Sequence, residues 1–300
     1  MAEPFHFRCT ACGLCCTTPP SVALGEVAAQ AQRFVLGFRL VPVPALDPVQ
    51  HPQEMAALHR AAFGATDTGS ALAAGRWRLD EARATGMKIG GTVLVVDPAD
   101  VDAGTGCPQR ANDGLCAVHT ERPGACRVVP FAFPQGPRAN AAWGGARWKA
   151  MAAHHGWACD FGTEAPLLSD GRTVVDPDAQ DGWDRRRAPD PTMPGPASAL
   201  AKATVQRAAA LRQESLETLA LHIVAAGAKG HTTWFPGALL GAAALDLGWA
   251  AWARTLAQDS LHAIDARLSS PRPTVFGGVE TLDVIRRQWA LLLERAQEAL

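Results

Sequence analysis

Phe7-Arg8-Cys9-Thr10-Ala11-Cys12-Gly13-Leu14-Cys15-Cys16 places four cysteines within eight residues near the start of the chain. Thiols at C-x2-C-x2-C spacing can converge on one point, because two intervening residues are enough chain to turn the next sulfur back toward the first. Gly13 fits such a run, since a residue without a side chain lets the backbone take positive φ beside a bound ion. Cys15 and Cys16 are adjacent, and successive side chains of an extended chain point to opposite sides, so one ion is not expected to hold both.

A site of this kind needs ligands from elsewhere, and the chain supplies Cys107, Cys116, Cys126 and Cys159. Those eight are the whole cysteine complement. Unrelated core cysteines or disulfides are the ordinary alternative, and the specific spacing argues against them. Eight thiols divide into two four-ligand sets, or into one set plus a pair kept for redox chemistry or a second site. The first residues, Met1 to Arg8, are short and polar, without an apolar core or a small-residue cleavage site, and the expected location is the cytoplasm. A reducing compartment keeps thiols available for metal.

Three hundred residues of which 48% are hydrophobic suffice for one large or two ordinary domains. A net charge of -1 lacks the electrostatic footprint of a protein that binds nucleic acid or an anionic membrane. Arg185-Arg186-Arg187 sits beside acidic neighbours and reads as a solvated loop. The longest apolar run, Phe235 to Ala253, is interrupted by Asp246 and reads as a buried helix, not a membrane span.

Between the cysteine blocks, Leu24, Val27, Ala31, Phe34 and Phe38 recur at three- and four-residue steps and predict a helix over Ser21 to Phe38. Prolines make Leu40 to Pro52 an extended connector, and Pro52 to Phe63 a short helix. Gly64 to Gly75 reads as a surface loop. Thr92-Val93-Leu94-Val95-Val96, bounded by Gly90-Gly91 and Asp97-Pro98, reads as a well-buried strand. Asp113-Gly114 is a hairpin-turn signal that would bring Cys107 and Cys116 to the same end of a short ribbon. Arg127 to Phe131 reads as a strand that Pro130 confines to an edge. The tail through Cys159-Asp160-Phe161-Gly162 is expected to fold back and deliver the last thiol.

Residues 166–196 are rich in Pro, Asp and Gly and read as a linker. Beyond it the chain turns helical: Leu216, Leu219 and Ile223 mark one helix that Gly227 and Gly230 end, Pro236 opens a second running toward Leu268, and Leu282, Ile285, Trp289, Leu292 and Ala296 stripe the last. The expected fold class is therefore α+β, with a small cysteine-rich metal-binding domain of short strands and helices over 1–165 and an α-helical region over 197–300.

Phe7-x-Cys9-x2-Cys12-Gly13-x-Cys15-Cys16, followed by Cys107-Pro108, Asp113-Gly114-x-Cys116, Arg122-Pro123-x2-Cys126-Arg127 and Pro130-Phe131, closely resembles the YkgJ-like CxxCxxCC family, described as zinc- or iron-chelating. The resemblance covers roughly the first half of the chain, and it implies metal binding by the cysteines without implying a reaction. The position of His119 is often Tyr in that family, and the insertion of about 90 residues between the blocks is longer than is common there. A looser likeness to the cysteine-rich part of flagellin lysine methylases extends to the cysteines alone, and no Gly-rich loop follows a strand to hold a methyl donor.

Thiolate coordination is soft, which makes iron-sulfur, zinc and, after those, copper(I) the candidates; an iron-sulfur cluster or iron is preferred and zinc is the alternative, since both accept four thiolates. The ferredoxin ending C-x3-C-P and the radical-SAM spacing C-x3-C-x2-C are both absent. His6 and His119 stand near ligand cysteines and are candidates to replace one or to donate to a sulfur. His154-His155 are adjacent imidazoles that a helix turns about 100° apart. Arg122 and Arg127 are candidates to offset the charge of a thiolate-rich cofactor, and Glu121 is a candidate acid or base. Two functions follow. In one the metal centre is a metalloenzyme acting on a small molecule or on a peptide or protein side chain; in the other, closed zinc sites staple an adaptor or metal carrier whose helices bind a partner. No Gly-x-Ser-x-Gly elbow, His-Glu-x-x-His helix or Walker loop is present.

Overall fold

A computed structural model of the protein describes residues 3–10, 16, 20–47, 49–63, 68–101, 107–131, 136–187, 190–269 and 279–300. The elements run β1 (Phe5–His6), α1 (Val27–Gln30), β2 (Leu36–Pro44), α2 (Pro52–Phe63), α3 (Thr68–Thr85), β3 (Gly86–Ile89) and β4 (Thr92–Asp100). They continue with α4 (Gly124–Val128), α5 (Gly136–His155), β5 (Leu167–Ser169), α6 (Pro177–Arg187), α7 (Ala197–Arg212) and α8 (Leu216–Ala228). The last are β6 (Trp234–Pro236), α9 (Ala238–Asp246), α10 (Ala250–Leu268) and α11 (Val279–Glu298). The fold is mixed α+β.

Two compact units emerge, and neither is continuous in sequence. Unit 1 takes Met1–Cys15, Ala45–Glu81 and Arg110–Arg185; unit 2 takes Cys16–Pro44, Ala82–Gln109 and Arg186–Leu300. This differs from a division into 1–165, 166–196 and 197–300. The physical reason is a shared core: Val27, Phe34, Leu36, Leu94 and Val96 from the first half bury together with Leu200, Leu240, Leu256 and Trp289 from the second. Burying apolar surface outweighs proximity along the chain.

Unit 2 is an antiparallel sheet in the order β3-β4-β2-β6 carrying α7 to α11. β2 and β4 pair over nine residues, from Leu36 opposite Asp100 to Pro44 opposite Thr92. Here the sequence expectation is corrected. Leu24, Val27, Ala31, Phe34 and Phe38 are all buried as their spacing predicts, but helix persists only from Leu24 through Gln30, as a 3-10 turn and then α1. From Leu36 the chain is a strand because Val41 and Val43 favour a pleated surface, Pro42 and Pro44 cannot continue a helix, and β4 offers a full ladder. Pro42 and Pro44 are tolerated because β6 covers only Gly37 to Arg39, so both lie past its end. Gly37 allows that approach: a Cβ there would stand 2.5 Å from a Val101 methyl carbon and 3.3 Å from the Phe235 carbonyl oxygen.

β4 extends the expected strand from Val96 to Asp100, and Gly90-Gly91 is the two-residue turn of the β3–β4 hairpin, with Gly90 at φ +56°. Residues 68–75, expected in a loop, belong to α3. The helix opened at Pro236 is instead β6 followed by α9 and α10, broken where Gly248 takes φ +76° after the last residue of α9. α11 buries Leu282, Trp289, Leu292 and Ala296 as the stripe predicts. Among the described residues no helix is long and apolar enough to cross a membrane.

Unit 1 pairs β1 with β5 antiparallel, Phe5 opposite Ser169. Its core gathers Phe5, Phe7, Val128, Phe131, Leu168 and Trp183. The expected strand from Arg127 to Phe131 is instead α4 and the turn after it. Residues 166–196 are not a bare linker either. They contain β5 and α6, and the signal for α6 is legible afterwards: Asp176 accepts from the Ala179 amide at 3.0 Å and Pro177 occupies the first helical position.

Candidate metal centre

The amino-terminal strand is tied into unit 1 by its aromatics and its backbone. Phe5 and Phe7 stack at 6.4 Å, Phe131 meets Phe5 edge-on at 5.8 Å, and Phe161 lies 6.0 Å from Phe7. The Phe7 amide donates to the Pro166 carbonyl at 3.0 Å, and Arg8 and Asp160 exchange amide-to-carbonyl bonds of 2.9 and 3.2 Å. The Thr10 hydroxyl donates to the Ala158 carbonyl one step further. This antiparallel register sets Cys9 opposite Cys159, so the tail does fold back to the first cysteine block. Cys9 is exposed and Cys159 half-buried against the aromatic core.

Gly145 on α5 makes room for this strand, since a Cβ there would come within 2.5 Å of the Phe5 ring. Gly145→Ala is therefore expected to cost about 1–3 kcal/mol and to loosen residues 5–9 selectively. Hydrogen exchange of that peptide, faster than in the parent chain while unit 2 is unchanged, is the check.

In unit 2 a second meeting occurs. The Val22 amide donates to the Pro98 carbonyl at 2.8 Å and Ser21 bridges Ala99, which lays Ser21 and Val22 along the end of β4. Residues on either side of Cys107 are tied to the segment before β2: the Val101 amide donates to the Val35 carbonyl at 2.8 Å, and the Gln109 side-chain amide donates to the Arg33 carbonyl at 2.8 Å. Consequently the Cys107 amide reaches the Cys16 carbonyl at 2.8 Å. The two cysteine blocks, about 90 residues apart in sequence, are in backbone contact here.

The Asp113-Gly114 turn forms as expected, with Gly114 at φ +85°, the Leu115 amide donating to the Asp113 carboxylate at 2.9 Å, and Arg110 bridging Cys116. Cys116 is thus partnered in the ribbon by Arg110, and Cys107 is partnered by Cys16. Cys126 lies in α4, its amide donating to the Pro123 carbonyl at 2.9 Å. Cys12 and Cys15 lie outside the described residues. No disulfide joins any two of the six described cysteines. Among the described residues no three His, Cys, Asp or Glu side chains converge as a metal-holding group. Thiols are donors of the kind a soft metal takes, and a closed four-sulfur site built on either pair would need two further sulfurs, such as those of Cys12 and Cys15.

The other candidates find these places. His6 Nδ1 sits 2.8 Å from the Ala165 carbonyl, which fixes its ring against the segment leading to β5. His119 and Glu121 are exposed in a 3-10 turn. His154 and His155 are exposed and meet at 78°, and His155 stacks on Trp157 at 5.2 Å. Arg122 and Arg127 both point to α6: Arg127 donates to Asp178 at 2.6 Å and approaches Asp181 at 3.3 Å, and Arg122 donates to Asp178. Arg127 also donates to the Thr120 carbonyl. This clamp fixes the turn before Cys126 on α6, and Gly182 lets the helices close, a Cβ there being 2.6 Å from the Gly124 carbonyl oxygen. Asp178 and Asp181 were hidden from sequence reading inside the expected linker.

Burial pushes the Asp178 carboxyl up, but the Arg122 charge and the hydrogen bonds from Arg122 and Arg127 outweigh it and hold the group below its ordinary value. A depressed carboxylate contributes stability above its unfolded pKa and loses it as pH falls through the folded value. Asp178→Asn is expected to lower unit 1 stability by about 1–2 kcal/mol at pH 7 and to flatten the acid limb of its stability profile below about pH 4. Urea midpoints measured between pH 3 and pH 7 check both effects.

Comparison with known protein families, curated sequences and solved structures finds no match to this chain.

Proposed function

We propose that this chain is a metal-binding cysteine-cluster protein of the YkgJ-like kind, holding iron, as an iron-sulfur cluster or thiolate-bound iron, with zinc as the alternative metal. The observation that carries the reading is the 2.8 Å backbone bond between Cys107 and Cys16, through which two cysteine blocks remote in sequence meet. The register of Cys9 against Cys159 supports it from the other unit. Cys12 and Cys15, on the same short stretch as Cys9 and Cys16, are the ligands that would complete coordination, with Cys116 and Cys126 available from the second block. A bound iron-sulfur group would supply electron transfer or a Lewis-acid site, and zinc would supply structural closure or a polarising ion. The working centre acts on a small molecule or on a peptide or protein side chain. The cytoplasm is the fitting compartment because it keeps thiols reduced.

A second reading, a structural zinc module that serves as adaptor or carrier, is favoured by one feature of the helical part: Leu221 and Val224 on α8 are 69% and 40% exposed. The optical spectrum separates the two. Anaerobically purified protein that is brown and holds inorganic sulfide supports the first; colourless protein with stoichiometric, non-exchanging zinc supports the second. Colourless protein without stoichiometric metal removes both.

A further inference from the structure

The backbone around Cys9 defines more than a metal ligand. Arg8 and Asp160 exchange both backbone bonds as an isolated antiparallel bridge, and carrying that register one residue on places Cys9 across from Cys159, at what would be a non-hydrogen-bonded position. Such residues stand about 4.5 Å apart at Cα with their side chains at closest approach. Disulfides span Cα separations of about 4.4–6.8 Å. The pair is held on both sides: Arg8 bonds the Glu164 carbonyl at 2.6 Å and pairs with the Asp160 carboxylate at 3.4 Å, and the Thr10 hydroxyl holds the Ala158 carbonyl. The asymmetry of exposure suits a two-step reaction. Cys9 is open to a reagent from solvent, and Cys159, half-buried against the Phe5–Phe7–Phe161 cluster, is kept beside it.

We propose that Cys9 and Cys159 form a reversible cross-strand disulfide, and that this bond and metal compete for the same two sulfurs. The second half of the proposal rests on the metal-binding reading; the first does not. The oxidant is a low-molecular-weight disulfide such as oxidised glutathione. Deprotonated Cys9 Sγ attacks one glutathione sulfur, forming a mixed disulfide and expelling the other glutathione as a thiolate, which takes up a proton. Deprotonated Cys159 Sγ then attacks Cys9 Sγ and expels the second glutathione thiolate. Two protein thiols are oxidised by two electrons, one glutathione disulfide is reduced to two thiols, and the bond is reversed by excess reduced glutathione.

The test uses the full chain, chelator-treated and reduced, incubated in glutathione buffers of graded ratio, then alkylated, digested and mapped by mass spectrometry. The expected result is one dominant linked peptide joining Cys9 to Cys159, lost on reduction and absent in Cys9→Ser, a substitution at an exposed position. Zinc added before the oxidant is expected to slow its appearance about tenfold, in proportion to the fraction of thiols occupied. Zinc that binds stoichiometrically while no Cys9–Cys159 peptide forms at any ratio overturns the disulfide and leaves metal binding standing. A Cys9–Cys159 peptide that forms equally fast with zinc present overturns the competition, and if no zinc is bound it also removes zinc as the alternative metal.

Discussion

Asp100→Ala is expected to destabilise unit 2 by about 3–5 kcal/mol, the range for removing one partner of a buried ion pair. Asp100 is fully buried and Arg267 is 8% exposed, with Arg267 donating to both carboxylate oxygens at 3.3 and 3.2 Å. The same carboxylate accepts the Val35 amide at 2.8 Å. Alanine would therefore take the carboxylate away from a buried cation and from a backbone donor in an apolar setting. Replacing both partners with apolar residues, Asp100→Leu with Arg267→Met, is expected to recover a large part of the loss, because it removes the desolvation burden along with the attraction. Urea unfolding of the two variants decides the matter; equal losses for the single and double variants would contradict the ion-pair explanation. The position matters for the site as well. Asp100 ends β4 just before the segment that carries Cys107, so loosening this corner should also weaken the meeting of Cys107 with Cys16.

The larger functional effect is expected from Cys107→Ser. A hydroxyl does not replace a thiolate on a soft metal, and loss of one ligand from a thiolate site should lower affinity at least about 100-fold, more than the loss of an outer hydrogen-bond partner. Cys107 is the residue to choose because its backbone contact with Cys16 is made by the amide, which serine retains. The fold of unit 2 should then survive while metal is lost. Unchanged circular dichroism with metal content falling below about one tenth of the parent's is the expected outcome. Retained metal would show that Cys107 is only a half-buried strut.

The cysteine blocks, β4, α2, α8 and α11 were legible in the sequence because each carries a local signal: spacing, a β-branched run, or a helical stripe. The apolar stripe from Leu24 to Phe38 identified buried residues correctly and their secondary structure wrongly, because helix and strand can both bury such a set and the decision was made by β4, a partner about 60 residues away. Prolines gave opposite lessons. Pro42 and Pro44 read as part of an extended connector and Pro98 as the end of a strand, yet all three pair between β2 and β4 at positions that the strand on their other side does not reach. The interleaving of the two units was invisible, since nothing local says that Val27 and Trp289 share a core. Arg122 and Arg127 were picked out as cations near a cysteine, and the partners the structure gives them, Asp178 and Asp181, lay in a stretch whose low apolar content masked the helix start at Asp176-Pro177.

The most direct measurement is elemental analysis with metal-edge X-ray absorption on the full chain purified without oxygen. The expected result is stoichiometric metal coordinated by sulfur, with inorganic sulfide if the metal is iron. A folded chain that retains no stoichiometric metal, or one whose metal is bound only through nitrogen and oxygen, would contradict the claim that these cysteines exist to hold it.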